Sequence, residues 1–336
     1  MRDVAREAGV SLKTVSRVVN GMSNVSPRTT KRVTRAIARL NFRPDELARN
    51  LRRGRSTGAL GLVIEDLANP FYSALARGVE EAARERGRLV LIGSSDGDPG
   101  RELELVLAFC ARRVDGLVLV PTASDHSYLL PELQANLPVI CVDRPCEQPE
   151  LDTVLLDDSG GARTGTEHLI AHGHARIAWF GSNPEVYTTG ERFRGYTEAL
   201  IARGLTPDPS LVHLDLEGAS GAEAALLASL RSPDPPTAYF ADNNRIALGI
   251  LEGLRKAGQR RAMIAFDDFE LAAVLDPPVT VVSHDPAELG RQAANLLFRR
   301  LDGDASPTHR IIVATQLVAR GSGELPVATA PRQPTI

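Results

Sequence analysis

The spacing of hydrophobic positions changes near residue 58. Before it, apolar residues recur three and four apart in short bursts: Val4, Ala5 and Ala8, then Val15, Val18 and Val19, then Val33, Ile37 and Leu40. Such spacing gathers side chains on one side of an α-helix, so three short helices are predicted. After it, unbroken apolar runs alternate with longer amphipathic stretches. The runs are ALGLVIED, RLVLIGSS, GLVLVPT, PVICVD, TVLLD, RIAWFGS, LVHLDL, TAYFAD, AMIAFDD, TVVSHD and RIIVATQLVAR. Helices of about four turns, such as FYSALARGVEEAARERG, fit the gaps. Alternation of strand and helix predicts parallel sheets covered on both faces. So many strands exceed one usual sheet, so two lobes are expected. Ligands of such sheets sit beyond the C-terminal strand ends, where two facing lobes would form a cleft.

Local signals sharpen the first three helices. Gly9 is placed to end the first, because glycine enters the left-handed conformation cheaply. Ser11 caps the second, which leaves Leu12, Lys13, Ser16 and Arg17 exposed. Two short helices about a glycine turn form a helix-turn-helix, whose second helix fits the major groove of DNA. Ser26 and Pro27 start the third helix, with Lys31, Arg32, Arg35 and Arg39 outside its apolar face. Pro44 breaks it. Asp45 can cap a short helix over Glu46 to Arg52, followed by a basic linker through Arg55. Leu51 in that basic setting reads as an apolar wedge for the minor groove.

Charge separates the same two regions. Residues 1–56 hold fourteen Lys and Arg against four Asp and Glu, a net of +10, which leaves −13 on the remainder of this −3 chain. A basic head on an acidic body points to a polyanion partner for the head alone. No apolar run is long enough to span a membrane, and the N-terminus MRDVAREAGVS lacks a signal core. A cytoplasmic protein with no membrane contact is therefore expected. Cys110, Cys141 and Cys146 form no CxxC pair and are expected to be reduced, small, buried fillers.

Catalysis finds no support. Asp157-Asp158 and Asp267-Asp268 fall at strand ends, where acids cap the following helix. His168 and His172 share a helix face, but His174 lies beyond the Gly173 turn, so no metal site is expected. Neither a G-x-G-x-x-G nor a P-loop follows a strand, so no cofactor is expected.

At this point the chain resembles the lactose/galactose repressor (LacI/GalR) family, from about Arg2 to Ser322. The most specific match is RDVAREAGVSLKTVSRVVNG with VSPRTTKRV and ARLNFRPDELARNL. NPFYSALARGVEEAA, RRVDGLVLVP, HLIAHGHARIAWFG, ERFRGY, ALGILEGLRKAG, AFDD, PAELGRQAANLL and VARGS follow in order. The resemblance implies an α/β chain: a three-helix headpiece on a periplasmic-binding-protein-like body of two doubly wound, parallel-sheet lobes. The divisions expected are a headpiece over 1–44, a hinge helix and linker over 45–57 and an effector-binding and dimerisation domain over 58–322. Its N-lobe spans 58–157 and 285–315, its C-lobe 158–284 and 316–322, with a disordered tail over 323–336.

The resemblance further implies a homodimer that represses transcription from a palindromic operator. It gives DNA contacts to Leu12, Lys13, Thr14, Ser16, Arg17, Asn20, Ser26 and Thr29, and to hinge residues Ala48 and Leu51. Leu12 departs from the polar or aromatic residues usual there. The family's usual Thr ahead of the first helix would fall before Met1, and its absence implies a longer start or weaker DNA affinity. Phe71, Tyr72, Asp143, Arg192, Asn243 and Asp267 match effector-cleft positions. A carboxylate and a guanidinium facing one cleft suit the hydroxyls of a sugar, a sugar derivative or a nucleoside. Asp242, Asn244 and Ala265 depart from the family pattern there, which implies an altered ligand. The body alone also fits a periplasmic sugar-binding protein without DNA function; the basic head and absent signal core weigh against that alternative. The tail lacks the leucine heptads of a tetramer-forming coiled coil.

Overall fold

The computed structural model describes residues 1–19, 24–42, 57–122 and 125–327. Its contacts divide the chain into two units, Met1–Thr57 and Gly58–Ile336.

The first unit holds α1 (Arg2–Ala8), α2 (Leu12–Val19) and α3 (Pro27–Arg39). Val4, Ala5, Ala8, Val15, Val33 and Ala36 form its core, with Val18, Val19 and Ile37 packed on them. The expected caps form. Gly9 ends α1 at φ 58°, and the Ser11 hydroxyl accepts from the Thr14 amide at 3.1 Å. One side chain departs from the sequence reading. Leu40 is 41% exposed, because α3 stops at Arg39 and Ala36 fills the inner face instead. Arg32 lies outside the apolar face as expected, and it donates to the Ala8 carbonyl at 2.5 Å, closing the C-terminal end of α1.

The second unit alternates as expected, with both expected lobes. Lobe one carries β1 (Ala59–Ile64), α4 (Pro70–Glu85), β2 (Leu89–Ser94), α5 (Pro99–Ala111), β3 (Gly116–Leu119), α6 (Leu130–Gln134), β4 (Val139–Val142) and β5 (Asp152–Leu156). Lobe two follows with α7 (Asp158–Ala171), β6 (Ile177–Phe180), α8 (Tyr187–Ala202), β7 (Val212–His213), α9 (Gly218–Ser229), β8 (Ala238–Ala241), α10 (Asn244–Ala257), β9 (Ala262–Phe266) and β10 (Thr280–Ser283). The chain then returns to lobe one for α11 (Pro286–Leu301) and β11 (Arg310–Val313), and ends in lobe two with β12 (Gln316–Val318).

Each sheet has six strands, ordered β11-β5-β4-β3-β1-β2 and β12-β10-β9-β8-β6-β7. Among the described residues only β12 runs antiparallel, against β10. The central strands are buried on both faces, which is why they read as unbroken apolar runs. The last run is two strands in different sheets. Three crossings therefore join the lobes, after β5, β10 and β11.

Order extends past the expected start of the tail at 323. The Glu324 carboxylate accepts from Thr280 Oγ1 at 2.9 Å and from the Gly321 amide at 2.6 Å, and it pairs with His168. The Leu325 carbonyl meets His174 Nε2 at 2.9 Å. These partners give two of the three noted histidines structural roles. No group of acids, thiols and imidazoles among the described residues could hold a metal. No helix among them is long and apolar enough to cross a membrane.

Candidate functional site: the cleft between the lobes

Parallel strands end together, so the loops that follow them meet at one edge of each sheet. Several helices beginning there are capped by the loop's own side chain. Asn69 caps α4, Asp157 caps α7, Asn243 caps α10 and Asp285 caps α11. The strand-end loops enclose a cavity of about 330 Å³ between the lobes, lined by all six expected cleft residues. Phe71, Tyr72 and Asp143 come from lobe one; Arg192, Asn243 and Asp267 come from lobe two.

Asp143 follows β4 at φ 70°, and Asp267 follows β9 at φ 68°. Left-handed backbone is uncommon outside glycine and is best tolerated by Asp and Asn. Both lobes thus turn a carboxylate into the cleft by the same device. Tyr72 donates to Glu65 at 3.2 Å and lies 3.4 Å from Asp143. Arg144 reaches the Tyr72 hydroxyl at 3.1 Å and pairs with Glu65. Burial pushes the Asp143 carboxyl up to about 6, against the pull of Arg144 and Arg192.

Arg192 organises the other wall. Its Nε donates to Asp158 at 2.7 Å, its Nη1 to the Asp242 carbonyl at 2.6 Å, and its guanidinium lies 3.8 Å from the centre of the Phe266 ring. Asp267 stands 3.7 Å away, and its Oδ1 has no hydrogen-bond partner among the described residues. Asn243 spends one amide hydrogen on Ser182 Oγ at 2.9 Å.

Two of the three departures from the family pattern, Asp242 and Ala265, fall behind the cleft wall, and the third spans the lobes. Asp242 is buried and holds the Ser182 amide at 2.8 Å. Ala265 is core, inside β9. Asn244 donates across the lobes to Asn69 at 3.0 Å. Asp158, read as a cap, is instead the partner of Arg192, while Asp157 does the capping. Sequence reasoning missed Glu65, Asn69, Arg144, Ser182, Thr189 and Arg245 as lining residues. Glu65, Arg144 and Ser182 follow β1, β4 and β6 within two residues, a signal the strand-end rule supplies. Thr189 and Arg245 lie in the first turns of helices and carried no such signal.

In the first unit Leu12 is 48% exposed. Lys13 is exposed beside it, and Thr14, Ser16 and Arg17 are half-buried along α2. Ser26 and Thr29 are joined in the α3 cap, hydroxyl to hydroxyl at 2.9 Å. Asn20, Ala48 and Leu51 lie outside the described residues.

Comparison with known proteins gives the same picture. Residues 1–45 match the model "Bacterial regulatory proteins, lacI family", and residues 166–323 match the periplasmic binding protein-like domain. The chain is 36% identical to the HTH-type transcriptional regulator CelR of Thermobifida fusca, over 95% of this chain and 97% of that one. It is 34% identical to the ribose operon repressor of Escherichia coli K12, over 96% and 99%. Among solved structures, a CelR–cellobiose complex aligns with a TM-score of 0.71 at 32% identity, covering 95% of this chain and 98% of that chain. A lac repressor dimer bound to operator and the anti-inducer ONPF aligns with a TM-score of 0.84 at 26% identity, covering 96% and 98%. These relatives are named as transcription regulators, not enzymes, and the match over residues 1–45 sets the chain apart from a binding protein that has only the two lobes. The chain belongs to the LacI family of bacterial transcription regulators.

Proposed function

We propose that this protein is a homodimeric repressor of a palindromic operator, governed by an uncharged sugar in the cleft between its lobes. One observation carries the ligand class: the cleft's cations are already matched. Arg144 pairs with Glu65, Arg192 with Asp158 and Arg245 with Asp66. A phosphate would have to break one of these pairs, whereas sugar hydroxyls can donate to the Asp143 and Asp267 carboxylates that line the cleft and pack on Phe71 and Tyr72. The modest cavity suits a small ligand. The ribose and cellobiose named for the relatives are the first candidates.

Leu12, Lys13 and Arg17 on α2 face the major groove in this reading, with Arg17 placed for a guanine. The sugar acts by binding the operator-competent and free arrangements with different affinity. Thermal shift of the full chain tests the ligand. Ribose or cellobiose at about 100 times its dissociation constant adds roughly 2.7 kcal/mol of stability. The corresponding sugar phosphate should add none. A phosphate that outperforms its parent sugar would sink the assignment. Operator affinity, measured with and without that sugar, should fall steeply with salt; a flat salt response would exclude the DNA role.

A further inference from the structure

Cys141 and Cys146, expected as inert core fillers, meet. Cys141 lies in β4, and Cys146 closes the turn that follows; both are buried in one apolar cluster with Val63, Leu119 and Leu129. Both are free thiols, and their sulfurs are 2.6 Å apart. A zinc ion with two thiolates at about 2.3 Å would hold the sulfurs about 3.8 Å apart. The closer contact suits a sulfur–sulfur bond rather than a shared metal.

A buried base stands beside them. His126 is fully buried and faces the Cys146 thiol. Its Nε2 is 3.1 Å from Glu102 Oε1. Glu102 is held in turn by the Tyr128 hydroxyl and the Thr122 amide, each at 2.6 Å. Burial lowers the His126 pKa, but Cys146 and Glu102 outweigh it and push it up to about 10. Cys141 and burial push the Cys146 thiol up, and His126 is the neighbour that pulls it down. The net effect keeps Cys146 a thiol at rest, so what brings it to reaction is its contact with Cys141 and not a lowered pKa. The cleft does not use these groups.

The four residues between the two sulfurs include Asp143 and Arg144, which line the cleft. Pro145 and Glu147, on either side of Cys146, line a second cavity of about 330 Å³, though neither sulfur borders it. We propose that Cys141 and Cys146 form a reversible disulfide on exposure to peroxide, fixing the turn that presents Asp143 and Arg144 to the cleft. The Cys146 sulfur attacks one peroxide oxygen, the O–O bond breaks, and the leaving hydroxide takes the Cys146 proton, relayed by His126, and departs as water. Cys141 then displaces hydroxide from the resulting sulfenic acid, forming the S–S bond, and its own proton leaves in water. Two thiols are oxidised by two electrons as one hydrogen peroxide becomes two waters.

The full-length Cys110→Ser chain tests this, because only the paired thiols remain. After hydrogen peroxide and denaturation, both thiols should be lost without added oxygen mass, and a Cys141–Cys146 cross-linked peptide should appear. Dithiothreitol should restore both thiols, and amide exchange over residues 142–147 should be slower in the oxidised form. Surviving thiols, an oxygen adduct or a link between chains would overturn the proposal. His126→Gln should slow thiol loss; an unchanged rate would remove His126 from the step. Cys146→Ser should leave Cys141 reduced, and should it fail to fold, the intact pair still decides. The coupling to ligand rests on the function proposed above, and the disulfide does not. Affinity for ribose or cellobiose should change on oxidation and return on reduction; unchanged affinity in a cross-linked chain would refute the coupling. No sugar binding in either form would count against the proposed function while the thiol result stood.

Discussion

At the scale of single residues, the cleft is a problem of buried charge. Arg192 and Asp158 are both buried, and each is the other's nearest charged partner. Removing one half of such a pair costs about 3–5 kcal/mol, because the remaining charge stays out of water. Arg192→Ala should therefore unfold at markedly lower urea concentration, and restoring neutrality with Asp158→Asn in the same chain should recover part of the loss. If the two changes simply add, the pair is not coupled. Asp242 gives a pH test. Burial, opposed by the Ser182 amide and Arg192, pushes its carboxyl up to about 6, above the value of about 3.9 for an exposed Asp. The folded state thus holds this proton more tightly than the unfolded chain. The contribution is fully present below about pH 4 and is lost as pH rises through about 6. Asp143 acts in the same direction. Asp242→Asn keeps an acceptor for Ser182 and removes the titration. Its stability relative to the parent should rise across that window, measured by urea unfolding; a constant difference would rule out the shift.

At the scale of elements, helices meet where side chains vanish. A Cβ on Gly78 would lie 1.9 Å from the Ala287 carbonyl oxygen, and one on Gly290 would lie 2.1 Å from that of Leu75. These two contacts seat α4 against α11 over the first sheet. In lobe two Gly195 serves the α7–α8 contact and Gly249 the α9–α10 contact, each with a carbonyl oxygen 2.1 Å from the added carbon. Gly78→Ala must push two backbones apart, at a cost of about 1–3 kcal/mol. Gly221→Ala in α9 meets nothing nearer than 3.5 Å and should gain up to about 1 kcal/mol from helix propensity. Guanidinium unfolding of both variants should move their midpoints in opposite directions. A shared direction would mean that packing at Gly78 is slack.

At the scale of the whole molecule, the lobes communicate by side chains that cross the cleft. Asn69 Oδ1 accepts from the Phe71 amide at 3.1 Å and from Asn244 at 3.0 Å. Arg245 reaches Asp66 at 3.0 Å, and Arg310 reaches Tyr187 at 2.7 Å. Asn244→Asp would set a carboxylate against the Asn69 oxygen, which is already committed to the α4 cap. The contact between lobes weakens, and sugar affinity should fall several-fold by calorimetry while unfolding stability changes little. Equal affinity would show that this contact does not belong to the bound arrangement. Leu51→Ala tests the proposed hinge: specific operator affinity should drop and sugar affinity should hold, and wild-type operator affinity would exclude a wedge role.

Much of this was legible in the sequence because it is local. Three- and four-residue spacing marks the helices of the first unit, Gly9 and Ser26 mark their ends, and unbroken apolar runs mark strands buried on both faces. The six cleft residues came by resemblance, and the strand-end rule extends to Glu65, Arg144 and Ser182. What only the tertiary structure decided is the pairing of distant residues. Arg192 finds Asp158 at a separation of 34, Tyr72 lies beside Asp143 at 71, and Asn244 meets Asn69 at 175. Glu324 and Leu325 anchor a segment that composition read as tail. Cys141 and Cys146 are close in sequence, yet their contact depends on the turn at Asp143 and on His126 arriving from another loop. Periodicity records which face of an element is buried; it carries no information about which polar group stands opposite, because that partner is set by how separate elements pack.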